Sequence, residues 1–233
     1  MTGFDGTALL VLTSNGVLGD TGRPTGAYAA EVAESWQVFA SAGFRVEVAS
    51  IQGGRPPLEA VDTTDPAQQA FFADDAMTAA MAATRPVCEV DPTAYGIVFT
   101  AGGHGAVWDL PYDEDLAALL RDAYEHDAVI AAVCHGPAAL LGARLSNGEY
   151  LVAGRKVACF TNDEERAVGM TSVVPFLLAD ELVKRGAKHH AVGPFLPHVV
   201  VDGRLVTGQN PASTELVAKQ AVAAATATGD RCR

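Results

Sequence analysis

The chain has 233 residues, of which 49% are hydrophobic and 19% charged, the composition of a folded globular protein rather than of a disordered chain. With 16 Lys and Arg against 28 Asp and Glu, the formal net charge is −12, which argues against nucleic acid or an anionic membrane as partner. No stretch approaches the roughly 18 unbroken apolar residues that cross a bilayer. The first apolar run, Ala8 to Leu12, is too short for a secretory leader, so a cytoplasmic location is expected.

Thr7 to Leu12 reads as a buried strand, and Glu31 to Phe39 as a helix with Val32, Trp36 and Phe39 on one face, stopped near Gly43. Arg45 to Ala49 alternates as a second strand. Residues 53–85 then break the rhythm, a cap-like excursion with helical pieces around Gln68 to Met81. Gly96 to Thr100 and Val129 to Val133 are further buried strands. Between them, Asp113 to His126 carries Leu116, Leu119 and Leu120 as an amphipathic stripe. Tyr150 to Phe160 reads as a hairpin turning at Gly154–Arg155, and Val199 to Val206 as another turning at Asp202–Gly203. Val174 to Arg185, ended by Gly186, and Ser213 to Thr226 are the last helices, and the tail beyond Thr228 is expected to fray. Strand and helix in alternation predict an α/β fold over residues 1–233: one doubly wound, flavodoxin-like domain, its mostly parallel sheet covered by helices on both faces.

The four cysteines, Cys88, Cys134, Cys159 and Cys232, show no CxxC spacing, which argues against a zinc ribbon or a thioredoxin-like pair. Cys134 differs from the others. A buried strand runs straight into it, Ala132 and Gly136 are the small residues two positions either side, and a helix is expected to start there. This is the nucleophile-elbow pattern with Cys in place of Ser. A thiol beside a helix N-terminus is expected to favour the thiolate. His135 comes directly after it, able to lend its backbone N–H to an oxyanion or its imidazole to proton transfer.

FTAGGHG at 99–105 comes after another strand. Gly102, Gly103 and His104 therefore reach the same end of the sheet, where backbone N–H groups could face the oxyanion. Trp108 is a candidate pocket wall. The six histidines form no compact ligand set such as HExxH, so no metal and no cofactor are expected.

These motifs, with TGAYAAE at 25–31, AAVCHGPAALL at 131–141, FTNDEERAVG at 160–169, VVPFLLADEL at 173–182 and VTGQNPAS at 206–213, resemble the ThiJ/PfpI superfamily. That superfamily shares the class I glutamine amidotransferase fold. The likeness is to its heat-shock-chaperone-like branch, which includes glutathione-independent glyoxalase III. The resemblance implies a nucleophile at Cys134 with His135, a carboxyl near the thiol at Glu31, and a triad acid at Glu165, with Glu164 adjacent. A homodimer is implied on the same ground. Ala30, Glu34 and Ser35 depart from the second Glu and the His-Pro that many relatives carry nearby.

The implied activity is conversion of a 2-oxoaldehyde such as methylglyoxal to a 2-hydroxy acid through a Cys134 hemithioacetal, with repair of glycated groups as a related reading. A stress holdase that would not need Cys134 is the alternative from another class. A glutaminase is disfavoured, since neither His189–His190 nor His198 is followed by the acid that an amidotransferase needs, and a peptidase is less favoured because that activity in relatives depends on an oligomeric assembly that the sequence does not show.

Overall fold

The fold is taken from a computed structural model that describes residues 6–229. Cys232 and the end of the tail lie outside the described residues. The strands are β1 (Thr7–Leu12), β2 (Ala27–Tyr28), β3 (Arg45–Ser50), β4 (Leu58–Glu59), β5 (Arg85–Pro86), β6 (Ile97–Thr100), β7 (Val129–Val133), β8 (Lys156–Val157), β9 (Lys188–His189), β10 (Val199–Asp202) and β11 (Leu205–Gly208). The helices are α1 (Ala29–Ser41), α2 (Pro66–Ala73), α3 (Asp75–Ala82), α4 (Ala106–Asp109), α5 (Glu114–Glu125), α6 (Asn162–Ala167), α7 (Leu178–Lys184) and α8 (Thr214–Gly229).

Among the described residues, seven strands form one sheet in the order β10-β11-β7-β6-β1-β3-β5, parallel except for the β10–β11 hairpin. Its central run β3-β1-β6-β7-β11 is the flavodoxin-like order, which reverses direction between β1 and β6. Each strand feeds both faces, as a period of two requires. Leu9 and Val11 of β1, Val98 of β6 and Ile130 of β7 pack with Leu116, Leu119 and Leu120 of α5 and Leu182 of α7. Their neighbours Leu10, Phe99 and Val133 pack with Val32 and Phe39 of α1 and with Val217 and Ala221 of α8. Phe39 meets Phe99 edge to face at 5.7 Å between ring centres, a favoured aromatic geometry. Asp113 caps α5 by accepting from the Leu116 N–H at 2.7 Å, so the predicted helix starts one residue later.

The excursion is tied into the α1 side of the molecule. Phe71 of α2 and Met77 and Met81 of α3 are buried there, Phe71 lies edge-on to Trp36 at 5.5 Å, and β4 pairs in parallel with β2. The β2–β4 pairing places Glu59 next to His104.

Three sequence expectations need correction. Residues 150–160 are not a hairpin: Leu151 and Val152 are consecutive buried residues in turns, where a strand would have sent them to opposite faces. The chain does turn at Gly154, but β8 then pairs in parallel with β9. The helix expected from Val174 begins only at Leu178, because Pro175 and the bends around it interrupt the preceding turn. The second hairpin is present as β10–β11, with Asp202 opposite Leu205, so its two loop residues are Gly203 and Arg204, one position later than expected.

Candidate active site at the β7 elbow

Cys134 leaves β7 with φ of +59°, a left-handed backbone that a non-glycine residue adopts only under constraint. The constraint is visible on both sides. The Cys134 N–H donates to the Gly208 carbonyl at 3.0 Å, and the Phe160 N–H donates to the Cys134 carbonyl at 2.8 Å. Two glycines make room. A Cβ at Gly136 would fall on the Thr100 carbonyl oxygen, and one at Gly102 would lie 2.8 Å from the Cys134 Cβ. The small residues of the elbow are thus required by close backbone approach.

The chain continues from the elbow into a 3₁₀ segment, Gly136–Leu141, rather than the expected α-helix. The predicted stabilisation of a thiolate by a helix terminus is therefore not the governing influence. Burial pushes the Cys134 thiol well above its ordinary range, and a charged Glu31 adds to this, while the backbone N–H groups of Gly103 and His135 pull the other way. Glu31 is completely buried, and burial pushes its carboxyl up to about 8 against the opposing pull of the Gly102 N–H and the thiol. At neutral pH this carboxyl is mostly protonated and exerts little repulsion on the sulfur. Its Oε2 accepts from the Gly102 N–H at 2.6 Å, whereas the buried Oε1 has no hydrogen-bond partner. The proton therefore belongs on Oε1.

His135 is buried and bridges sulfur and carboxylate: Cys134 Sγ lies 3.4 Å from Nδ1, and Nε2 lies 2.9 Å from Glu165 Oε2. A carboxylate on Nε2 assigns the proton to that nitrogen and leaves the Nδ1 lone pair facing the thiol. Burial lowers the His135 pKa and keeps the ring neutral. Glu165 also accepts from His104 Nε2 at 3.1 Å through its other oxygen, and the two imidazoles meet at a 41° tilt with centres 4.3 Å apart. Burial would raise the Glu165 pKa, but hydrogen bonds from His104 and His135 hold it near 2. Burial opposes the charge on His104, yet Glu165 and Glu59 outweigh it and lift its pKa to about 9. Glu165 is thus a carboxylate shared between a cationic and a neutral histidine.

Glu164 takes no part in that pair. It forms a capping box with Thr161, whose Oγ1 accepts from the Glu164 N–H at 3.1 Å while Glu164 Oε2 accepts from the Thr161 N–H at 2.9 Å. Of the predicted oxyanion donors, Gly102 is committed to Glu31, and the His104 N–H to Glu59 Oε1 at 2.9 Å. Gly103 and His135 are the backbone donors facing the sulfur. Trp108 lies beside Gly19, packed against the core on the α5 side of the sheet. Three residues around the site are not among those the sequence motifs assign. Tyr28 feels the charge of both Glu31 and Cys134, Glu59 holds His104, and Phe160 packs on His135 at a 35° tilt with ring centres 4.5 Å apart. Tyr28 and Phe160 fall inside motifs already singled out, whereas nothing in the sequence around Glu59 marks it.

His104, His135 and Glu165 each offer a ligand atom within 4.8 Å of the others, so a divalent cation could seat there only by displacing the hydrogen bonds that join them. No sequence spacing announces this set, because its members come from three separate segments.

Residues 24–224 match the DJ-1/PfpI family. The Saccharomyces cerevisiae protein named glutathione-independent glyoxalase HSP31 is 33% identical over 230 residues, spanning 92% of this chain and 95% of that one. Glyoxalase 3 of Candida albicans is 31% identical over 93% of this chain and 97% of its own. Among solved structures, glyoxalase III from Candida albicans superposes with a TM-score of 0.87 at 29% identity, covering 94% of this chain and 97% of that one. The Francisella tularensis Rapid Encystment Protein superposes with a TM-score of 0.91 at 32% identity, covering 94% and 99%. An elbow cysteine at the carboxyl end of a flavodoxin-like sheet, a family match over most of the length and these relatives lead to one conclusion: the chain belongs to the DJ-1/PfpI family.

Proposed function

We propose that the protein is a glutathione-independent glyoxalase that converts a small 2-oxoaldehyde, methylglyoxal for example, to the 2-hydroxy acid through Cys134. The observation that carries this reading is the line from sulfur to His135 Nδ1 at 3.4 Å and from His135 Nε2 to Glu165 at 2.9 Å, with a protonated Glu31 beside the sulfur. The names of the curated relatives support the same chemistry.

His135, neutral and oriented by Glu165, takes the thiol proton as the sulfur adds to the aldehyde carbon, and returns it to the new alkoxide. This gives the hemithioacetal. The Gly103 and His135 N–H groups favour the thiolate during the addition. The same imidazole next removes the hydrogen on the former aldehyde carbon as a proton, leaving an enediolate. Glu31 delivers its proton to the neighbouring carbon while the hydroxyl proton of the former aldehyde carbon passes to the adjacent oxygen, which gives a thioester of Cys134 with Glu31 ionised and His135 protonated. Water cleaves the thioester, its oxygen and one hydrogen joining the acyl group as the carboxylic acid and its other hydrogen restoring the thiol, and the imidazolium proton passes back to Glu31, so the net change is addition of one water to R–CO–CHO to give R–CHOH–COOH. His104 and Glu59 hold Glu165 in its charged form and contact no reacting atom in this scheme.

The test is lactate formation from methylglyoxal without glutathione. Wild type should form lactate, Cys134→Ser should form none, and Glu31→Gln should lose roughly two to four decades of kcat, the usual scale of a lost acid–base group. Loss of methylglyoxal with no lactate from wild type would overturn the proposal.

A further inference from the structure

Outside the reacting groups, the segment 192–197 combines features that folding alone does not call for. It is exposed throughout, yet it carries Val192, Phe195 and Leu196, of which Phe195 is 49% exposed. Phe195 has φ of +61°, a left-handed conformation that strains a bulky residue and that glycine would adopt without strain. The backbone there is nevertheless fixed. Glu164 Oε1 accepts from the Phe195 N–H at 2.8 Å, Gln209 Oε1 accepts from the Val192 N–H at 2.9 Å, and Asn210 Nδ2 donates to the Leu196 carbonyl at 2.8 Å. The three anchoring side chains belong to fully buried residues, and both amides also donate to Glu164 Oε1. A half-exposed aromatic ring is thus held in a strained position by a buried polar network.

The ring it is held against faces the site. Phe195 and Phe160 have ring centres 6.4 Å apart, and Phe160 lies 4.5 Å from His135 and 6.0 Å from His104. The two phenylalanines make an apolar path from His135 to the surface. We infer that Phe195 is a specificity-determining residue: with Phe160 it walls the site beside His135 and receives the carbon substituent of a 2-oxoaldehyde larger than methyl, aromatic substituents included. This deepens the glyoxalase reading and rests on it. Glu164 acts as a positioning residue, setting the wall while its neighbour Glu165 holds His135. An aromatic substituent has a face for Phe195 to pack on, which a methyl group lacks.

The experiment compares kcat and KM for methylglyoxal and phenylglyoxal. Wild type should accept both and show the lower KM for phenylglyoxal. Phe195→Ala should raise KM for phenylglyoxal roughly tenfold while shifting methylglyoxal by no more than about twofold, with kcat held for both, and Phe195→Tyr should retain the wild-type preference. Phe195→Gly removes the ring and relieves the strained φ, so it reads the same loss of preference should the Ala variant fail to fold. An unchanged preference in the folded variants would overturn the inference, as would equal losses on both substrates. Wild type that converts methylglyoxal and refuses phenylglyoxal would overturn the wall alone. Wild type that converts neither would overturn the glyoxalase reading and this inference with it.

Discussion

Glu31→Gln isolates the cost of burying an ionisable carboxyl. Glu31 has no exposed surface and titrates at about 8, against an ordinary value of 4.5. Between those two pH values the folded chain keeps a proton that the unfolded chain has released, so stability falls as pH rises through the window and is unaffected below it. At about 1.4 kcal/mol per pH unit, the penalty reaches roughly 3 kcal/mol at pH 7 and about 5 kcal/mol above pH 8. Gln has nearly the same shape and does not ionise. Its carbonyl can accept from the Gly102 N–H as Oε2 does, and its amide then takes the place of the protonated Oε1.

The assay is urea unfolding of both proteins from pH 4.5 to 8.5, reading the difference in unfolding free energy. Groups with depressed pKa values, Glu59, Glu164 and Glu165, contribute pH dependence of the opposite sign, but they are common to both proteins and cancel in the difference. Glu31→Gln should gain on wild type steadily from pH 5 to 8, by roughly 3 kcal/mol at pH 7, while losing its turnover. A difference that stays flat across this range would mean that Glu31 ionises freely in the folded chain, and the proton on Oε1 would have to be abandoned.

Gly136→Ala should lower the melting temperature by well over 10 °C or prevent folding, since its Cβ meets the Thr100 backbone carbonyl rather than a side chain that can swing away; thermal unfolding followed by circular dichroism measures it. Thr161→Ala removes one arm of the capping box on α6 and should cost about 1 kcal/mol in urea unfolding, with a larger fractional loss of activity because Glu164 and Glu165 sit in that first turn. Among the described cysteines, Cys88 is exposed and should alkylate in the native protein, whereas Cys159, buried and with its thiol pushed far up by burial, should label only on unfolding; peptide mass spectrometry after timed iodoacetamide treatment distinguishes the two.

The long strands were legible because nearly every residue in them is buried, as in β7, where the unbroken run Val129–Val133 leaves no other assignment. The two-residue strands β5, β8 and β9 were not, since pairing so short is set by the partner strand and leaves no periodicity. Leu151 and Val152 imitate a strand by composition alone, and their burial under α7 and the 3₁₀ segment is a tertiary effect. At the site, Cys134, His135, Glu31 and Glu165 lie in motifs, and the structure brings them together. Glu59 could not be foreseen, because only the β2–β4 pairing carries it to His104. The charge states were equally hidden: burial, not a helix terminus, governs Cys134, and that depends on what packs around it.

The adjacency of Glu164 and Glu165 left the choice of acid open in the sequence, and the fold gives each carboxylate a separate task. Successive residues of a helix point about 100° apart. With Thr161 fixing the first turn of α6, that rotation sends Glu165 toward His104 and His135 and Glu164 toward Gln209, Asn210 and the Phe195 backbone. One capped turn therefore sets both the orientation of the imidazole and the position of the aromatic wall. A change that rotates this turn should disturb proton transfer and substrate preference together, whereas Phe195→Ala should move preference alone. The two signatures separate a residue that positions the site from one that contacts the substrate.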